Sequence, residues 1–154
     1  MIQADRLGWQ PISSSASDAL HAVLQIAYRA PESVRAHELA ASLEVPPKYL
    51  AKVLNTLAHA GILTSSRGPH GGFRLAVEPH RLRLADVIAP FETLRGQPRC
   101  LLRGTACDPE HPCLAHSGWQ TIAQQVHEFF RTRTVAEVAQ VNRVQRRDLA
   151  ALLI

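Results

Sequence analysis

The residues best suited to metal or redox chemistry lie in one short stretch, from Cys100 to His116. It contains all three cysteines of the 154-residue chain, with six residues between Cys100 and Cys107 and five between Cys107 and Cys113. His116 follows Cys113 after two further residues. Thiolates and imidazoles are ligands for soft and borderline metals, and thiolates hold iron–sulfur clusters. The residue types and their spacing therefore predict a metal or cluster site.

The residues around these cysteines indicate a loop. Glycine, proline and aspartate separate the candidate ligands, so residues 93–116 can wrap around an ion or cluster. The sequence from Ser117 onward is typical of a helix, whose N-terminal partial charge favours a nearby thiolate. Free redox-active thiols and ordinary buried cysteines are the alternatives. The odd cysteine count and the absence of an apolar signal segment favour a reducing cytoplasm over a disulfide-bonded secreted protein.

The composition and motifs of the chain limit the classes of protein to which it can belong. The hydrophobic content of 46% supports a core, and the net charge of +4 permits an acidic partner such as double-stranded DNA. No apolar run approaches the roughly 20 residues that a membrane span needs. The sequence contains no phosphate loop, no nucleotide-binding fingerprint and no motif that places a nucleophile beside a base. We therefore expect neither a membrane protein nor an enzyme.

The first half of the chain predicts a helix-turn-helix. The four serines within residues 13–17 offer N-caps for a helix that reaches about residue 30, where Pro31 stops it. Two further helices follow, at 36–43 and from Pro47 to about Gly61, separated by a tight turn in which Glu44 occupies a place that often carries glycine. The second of them has an outer stripe suited to phosphates and base edges, formed by Lys48, Tyr49, Lys52 and Asn55. A plain helical hairpin with a solvated face is the alternative.

A glycine-rich hairpin follows the second helix directly, which predicts a DNA-binding wing. Residues 62–76 form a short strand, a tip rich in glycine and proline, and a return strand. Arg67 is the expected phosphate or minor-groove contact, and three glycines should let the backbone approach DNA: Gly68, Gly71 and Gly72. A short helix at 82–91 ends near Pro90. The predicted fold class is mainly α: a winged helix-turn-helix with a two-stranded β wing and a long C-terminal dimerisation helix.

The helix after the cysteines carries an apolar stripe, which predicts a homodimer interface. Its members are Trp119, Ile122, Val126, Phe129 and Phe130. Packing of the same stripe against its own winged helix is the alternative. Thr134 can cap a last helix at 135–141. The predicted divisions are a lead-in at 1–12, a DNA-binding domain at 13–92, a cysteine loop at 93–116, dimerisation and terminal helices at 117–141, and a tail at 142–154.

Several segments together resemble the winged-helix iron–sulfur regulators of the IscR, NsrR and RirA type, also called the Rrf2 family. They are PKYL at 47–50, AGIL at 60–63, RGPHGGFRL at 67–75, LADVI at 84–88, the three-cysteine loop, and TVAEV at 134–138. The resemblance covers about residues 13–140. It implies a homodimeric bacterial transcription factor, interpreted here as a repressor, whose DNA affinity depends on an iron–sulfur cluster that senses iron–sulfur status, nitric oxide or redox state.

The resemblance leaves two candidates for the fourth cluster ligand. Cys113-Leu-Ala-His116 is similar to the IscR pattern, in which histidine completes a [2Fe-2S] site. Asp18 falls where the nitric-oxide sensors of the family place an aspartate that the partner subunit donates to a [4Fe-4S] cluster. We prefer His116 and [2Fe-2S]; alternatively, His116 caps its helix and Asp18 only complements a helix dipole. Two other functions remain open: a cluster-free thiol switch, and a zinc-stabilised interaction module, since three cysteines and a histidine also bind zinc.

Overall fold

The computed structural model of the chain describes residues 11–68, 71–92, 100, 102, 105 and 108–140. In chain order the elements are α1 (Ser14–Arg29), α2 (Ala36–Leu43), α3 (Pro47–His59), β1 (Leu63–Ser66), β2 (Gly72–Leu75), α4 (Leu84–Ile88) and α5 (His116–Thr132). Residues 135–140 are also helical. The predicted mainly helical class with a two-stranded wing is confirmed. Cys107, the tail at 142–154 and most of the predicted lead-in lie outside the described residues.

Helix α1 is the centre of the core. The Ser13 hydroxyl accepts a hydrogen bond from the Ala16 N–H at 3.3 Å, which satisfies one of the unpaired amides of the first turn. Helices α2, α3 and α4 and strand β2 all pack against α1. Its buried side chains are small or aliphatic, which lets the surrounding helices approach closely: Ala16, Ala19, Leu20, Ala22, Val23, Ile26 and Ala27.

The turn between α2 and α3 is a Schellman motif built on a glutamate. Glu44 adopts the left-handed conformation, with φ 55° and ψ 37°. The Glu44 N–H donates to the Ala41 carbonyl at 3.4 Å and the Val45 N–H donates to the Ala40 carbonyl at 3.1 Å, which are the two bonds of this motif. The end of α3 has the same pair of bonds, with Gly61 at φ 74° in the left-handed position. The turn between α2 and α3, which often carries glycine, therefore has a strained glutamate in that place.

The wing is an antiparallel hairpin of β1 and β2, and one further residue pairs with the outer side of β2. Leu63 pairs with Leu75 and Ser66 pairs with Gly72 across the two strands. Val34, which immediately precedes α2 and is fully buried, forms an isolated bridge with Phe73 through two backbone hydrogen bonds of 2.8 and 3.0 Å. These bonds join the wing to the residue that precedes the helix-turn-helix, so the hairpin and the helices are connected through backbone as well as side chains.

The C-terminal end of α5 is fastened to the same unit. The Leu84 N–H donates to the Arg133 carbonyl at 3.0 Å, and the Val135 N–H donates to the Leu82 carbonyl at 2.8 Å. Thr134 and Glu137 form a reciprocal capping box at the start of the helical residues 135–140, as predicted for Thr134. The C-terminal end of α5 is therefore joined to the DNA-binding part by backbone hydrogen bonds as well as by side-chain packing.

Candidate DNA-binding surface and cysteine site

Helix α3 presents cations and an amide on one side and buries the other side. Lys48, Lys52 and Asn55 are exposed, as the sequence predicted. The opposite side packs into the core through four aliphatic side chains: Leu50, Val53, Leu54 and Leu57. Because this core contact is rigid, the exposed side chains occupy a defined surface next to the wing. That arrangement suits phosphate and base-edge contacts in a DNA groove.

Tyr49 differs from the rest of the predicted stripe because its hydroxyl is turned toward α1. The hydroxyl oxygen lies 2.9 Å from Asp18 Oδ2 and 3.2 Å from Ser15 Oγ. A carboxylate can only accept, so the single phenolic proton is donated to Asp18 and the Ser15 hydroxyl donates to the Tyr49 oxygen. Burial, and to a lesser degree the bond to Asp18, raises the pKa of Tyr49 above its ordinary value, so the hydroxyl keeps its proton.

Only part of the wing tip has the open surroundings expected of a DNA contact. Arg67 is exposed, and a Cβ added to Gly68 would meet no atom of the described residues within 4 Å. The other two predicted glycines face their own backbone. A Cβ on Gly71 would collide with the Ser66 carbonyl oxygen, and one on Gly72 would lie 2.7 Å from the Val34 carbonyl oxygen. Close packing of the hairpin is therefore a sufficient reason for Gly71 and Gly72, and the DNA contacts of all three glycines stay predictions.

Two of the three cysteines lie within the described residues, and their sulfur atoms are neighbours. Cys100 Sγ and Cys113 Sγ are 3.6 Å apart, with Cys100 buried and Cys113 half-buried. This distance is far longer than a disulfide bond, which is about 2.05 Å. It is close to the ~3.8 Å between two sulfurs that share one tetrahedral metal at bond lengths of about 2.3 Å. The donor pair therefore fits a shared metal, and the described residues alone contain no group of three or more metal-ligating side chains.

His116 is the first residue of α5, one position earlier than predicted. Its backbone N–H donates to the Cys113 carbonyl at 3.0 Å, so one turn joins the two candidate ligands. The preceding residue, Ala115, is the N-cap and makes no side-chain capping bond. His116 consequently does not cap the helix, which removes that alternative role. The other candidate ligand, Asp18, lies on α1 and accepts the Tyr49 proton through Oδ2, and its second oxygen has lone pairs for another partner.

The predicted dimer stripe on α5 divides into two parts. Phe130 is only 7% exposed and belongs to the core of its own chain, and Val126 packs partly against that core. Ile122 and Phe129, seven residues apart on one side of the helix, are 46% and 49% exposed. Packing against its own chain therefore applies to Phe130 and Val126, and the homodimer interface stays a prediction for the exposed residues. The exposed pair, together with the half-buried Trp119, is the part left for a partner.

Comparison with known proteins assigns the chain to a family. The sequence model of the Rrf2 family, described as iron-dependent transcriptional regulators, matches residues 12–141. The chain belongs to the Rrf2 family. An HTH-type transcriptional regulator of Aquifex aeolicus is 31% identical over 80% of this chain and 87% of that protein. The regulator IscR of Vibrio campbellii is 26% identical over 86% of this chain and 79% of that protein.

The fold of this Rrf2-family chain also matches a solved structure. The global cysteine regulator CymR of B. subtilis superposes with a TM-score of 0.70 and 22% identity, over 86% of this chain and 98% of that one. Membership of the Rrf2 family of transcriptional regulators, and not this superposition, makes the chain a DNA-binding transcriptional regulator and not an enzyme, as its sequence predicted. Among the described residues of this Rrf2 protein, no helix is long and apolar enough to cross a membrane.

Two contacts of this Rrf2 protein could not be predicted from the sequence. Glu92 accepts hydrogen bonds from the Ser13 N–H at 3.0 and 3.3 Å, which joins the start of α1 to the residue that precedes the cysteine segment. Ser15 contacts the Tyr49 hydroxyl. The partners are 79 and 34 residues apart, and neither contact leaves a pattern of spacing in the sequence.

Proposed function

We propose that this Rrf2-family regulator is a homodimeric cytoplasmic repressor whose operator affinity is set by an iron–sulfur cluster on Cys100, Cys107 and Cys113. The observation that carries the proposal is the 3.6 Å distance between Cys100 Sγ and Cys113 Sγ at the start of α5. Burial of Cys100 shields one of these sulfurs from solvent. The description of the family as iron-dependent supports iron as the metal.

His116 is our preferred fourth ligand, which favours a [2Fe-2S] cluster. The turn that joins it to Cys113 keeps the imidazole on the same short segment as a proposed thiolate ligand. A bound cluster would supply a redox-sensitive and displaceable cross-link between the ends of the loop. Asp18, donated by the partner subunit to a [4Fe-4S] cluster, is the alternative.

The DNA-binding surface combines α3 with the wing. Lys48, Lys52, Asn55, Arg67 and Gly68 are exposed and are proposed to contact the operator. A pair of such surfaces, one from each subunit, would occupy two half-sites about one DNA turn apart. Occupation of the loop by a cluster would then alter the relative position of the two surfaces and hence the fit to both half-sites.

The test is anaerobic purification followed by iron and acid-labile sulfide analysis and a visible spectrum. We expect a coloured protein in which Cys100→Ala, Cys107→Ala and Cys113→Ala each lose the stable cluster, since the loop cannot spare one of three thiolates. His116→Ala should shift the spectrum, while Asp18→Ala should change it little; the reverse result would select Asp18. His111→Ala is the matched control, because His111 lies in the same segment but pairs with Asp108 in an exposed contact of 3.0 Å.

A full cluster in the Cys107→Ala variant, or a colourless protein after reconstitution, would contradict the cluster proposal. Stoichiometric zinc in place of iron would indicate a structural metal.

The second candidate function is a cluster-free thiol switch, and the same sulfur distance favours it. The Cys100 and Cys113 sulfurs need to approach by only about 1.6 Å to reach disulfide length. In that reaction a peroxide receives two electrons and two protons from the thiols and forms water as the S–S bond forms. Mass spectrometry of peroxide-treated, iron-free protein should then show a loss of two hydrogens that the Cys113→Ala variant does not show.

A further inference from the structure

The Tyr49 hydroxyl joins α3, the second helix of the helix-turn-helix, to the first turns of α1. Tyr49 is the third residue of α3, and its partners Ser15 and Asp18 lie in the first two turns of α1. The bond to the Asp18 carboxylate is 2.9 Å long and partly buried. Hydrogen bonds to charged groups are stronger than those between neutral groups, so this contact favours one position of the N-terminal end of α3 relative to α1.

The same contact separates Tyr49 from the DNA contacts proposed on α3. The Lys48 and Lys52 side chains are exposed, whereas Tyr49 is half-buried against α1. Its one proton is already donated to Asp18, so the hydroxyl cannot also donate to a phosphate unless that bond breaks. The tyrosine therefore acts on the orientation of α3 and not on the DNA itself.

The end of α1 that receives this contact is also linked to the cysteine segment. The Ser13 N–H donates to the Glu92 carboxylate at 3.0 and 3.3 Å, and Glu92 is the last described residue before Cys100. Ser13 is the N-cap of α1, and Ser15 and Asp18 lie in its first two turns. The N-terminal end of α1 therefore contacts both α3 and the residue that precedes the cysteine segment.

We propose that Tyr49 is a positioning residue for operator binding, anchored by the Asp18 carboxylate and the Ser15 hydroxyl. The inference rests on the proposed DNA-binding surface. It adds that the orientation of α3 within that surface depends on the hydrogen bond between Tyr49 and Asp18. The Asp18 carboxylate serves this role in its own chain, whichever residue completes the cluster site.

The test is a double-mutant cycle on Tyr49→Phe and Asp18→Ala, measured as affinity for a DNA duplex selected from a random-sequence pool at several salt concentrations. Tyr49→Phe should weaken binding on the order of tenfold, the effect of a lost hydrogen bond to a charged group. The slope of log affinity against log salt should not change, because no phosphate contact is removed. In the Asp18→Ala background, Tyr49→Phe should have no further effect.

Three controls make the result specific. Lys52→Ala should reduce the salt slope by about one unit, in contrast to Tyr49→Phe. Tyr28→Phe is the matched tyrosine change, located near the opposite end of α1. Asp18→Asn keeps an acceptor for the tyrosine proton and should bind DNA much more tightly than Asp18→Ala in the presence of Tyr49. It also replaces Asp18→Ala in the cycle if that variant fails to fold; Tyr49→Phe should then cost less than in the wild type, because its acceptor is neutral.

Wild-type affinity in Tyr49→Phe would overturn the inference. A loss of about one unit of salt slope in that variant would instead make the phenol a phosphate contact. An equal effect of Tyr49→Phe in the wild-type and Asp18→Ala backgrounds would also exclude the proposed anchor. Absence of any DNA binding by the wild-type protein would reject the proposed function, and this inference with it.

Discussion

Position 44 shows how a single side chain can store strain at a functionally important turn. Glu44 adopts the left-handed conformation that Gly61 adopts at the end of α3, with the same two hydrogen bonds around it. For a residue with a Cβ atom, that conformation costs about 1 kcal/mol or more relative to glycine. The glutamate therefore persists because the Schellman bonds and the packing of α2 against α3 determine the turn.

Glu44→Gly should raise the free energy of unfolding by about 1 kcal/mol, since it relieves the left-handed strain and the turn bonds remain. Gly61→Ala is the converse change at an equivalent position with open space around it, and it should destabilise by about 1–2 kcal/mol. Chemical denaturation of both variants measures these effects. A destabilised Glu44→Gly variant would mean that the glutamate side chain makes a contact worth more than the strain.

At the same scale, glycine positions could be predicted from the sequence but their roles could not. The spacing of Gly68, Gly71 and Gly72 correctly indicates a tight hairpin. It does not show whether the missing Cβ makes room for a ligand or for the neighbouring strand, because that depends on partners such as the Val34 carbonyl. Val34 itself contributes a single bridge residue, and one residue has no period that a sequence pattern could reveal.

At the scale of elements, α1, α2 and α3 were predictable almost to the residue, whereas α4 spans only Leu84–Ile88 of the helix predicted at 82–91. Pro47 and Gly61 bound α3, and an apolar period that includes Leu50 and Leu54 determines which side is buried. The contact between Tyr49 and Asp18 was not predictable, since helical spacing places a side chain on a face but does not identify a partner on another helix. Likewise, the period on α5 grouped Phe129 with Phe130, although one is exposed and the other buried.

The recognition helix and the wing should contribute separately to DNA affinity. Lys52→Ala and Arg67→Ala each remove an exposed cation without changing the core, so each should weaken binding and reduce the salt slope by about one unit. Fluorescence anisotropy across a salt series measures both quantities. Arg131→Ala is the charge-matched control, because Arg131 pairs with Glu128 on α5. Equal affinity and slope for wild type and both variants would reject the proposed surface.

At the scale of the whole molecule, the exposed apolar residues of α5 are the proposed meeting point of two subunits. Phe129→Asp would place an unpaired charge in that interface, which costs several kcal/mol, and should therefore yield monomers. Phe129 is 49% exposed, so the fold of the single chain should survive the change. Phe130→Asp, at a buried position, should unfold the chain instead.

Light scattering combined with circular dichroism separates these outcomes. Gln124→Asp provides the control, since it adds the same charge at an exposed position on a different side of α5. A Phe129→Asp variant that remains a dimer with wild-type stability would place the interface elsewhere.

Backbone hydrogen bonds join Arg133 to Leu84 and Val135 to Leu82. They hold the C-terminal end of α5 in place, so a tilt of the helix would be a rotation about that end. Its 17 residues span about 25 Å, and the free end carries His116, one turn from Cys113. A rotation of about 10° around the fixed end would move the other end by roughly 4 Å. A displacement of a few ångströms at the cysteines therefore corresponds to a rotation of α5 by only a few degrees about its C-terminal end. If the proposed cluster shifts the cysteines by a few ångströms, the joined end of α5 would therefore pass only a small rotation to the DNA-binding part.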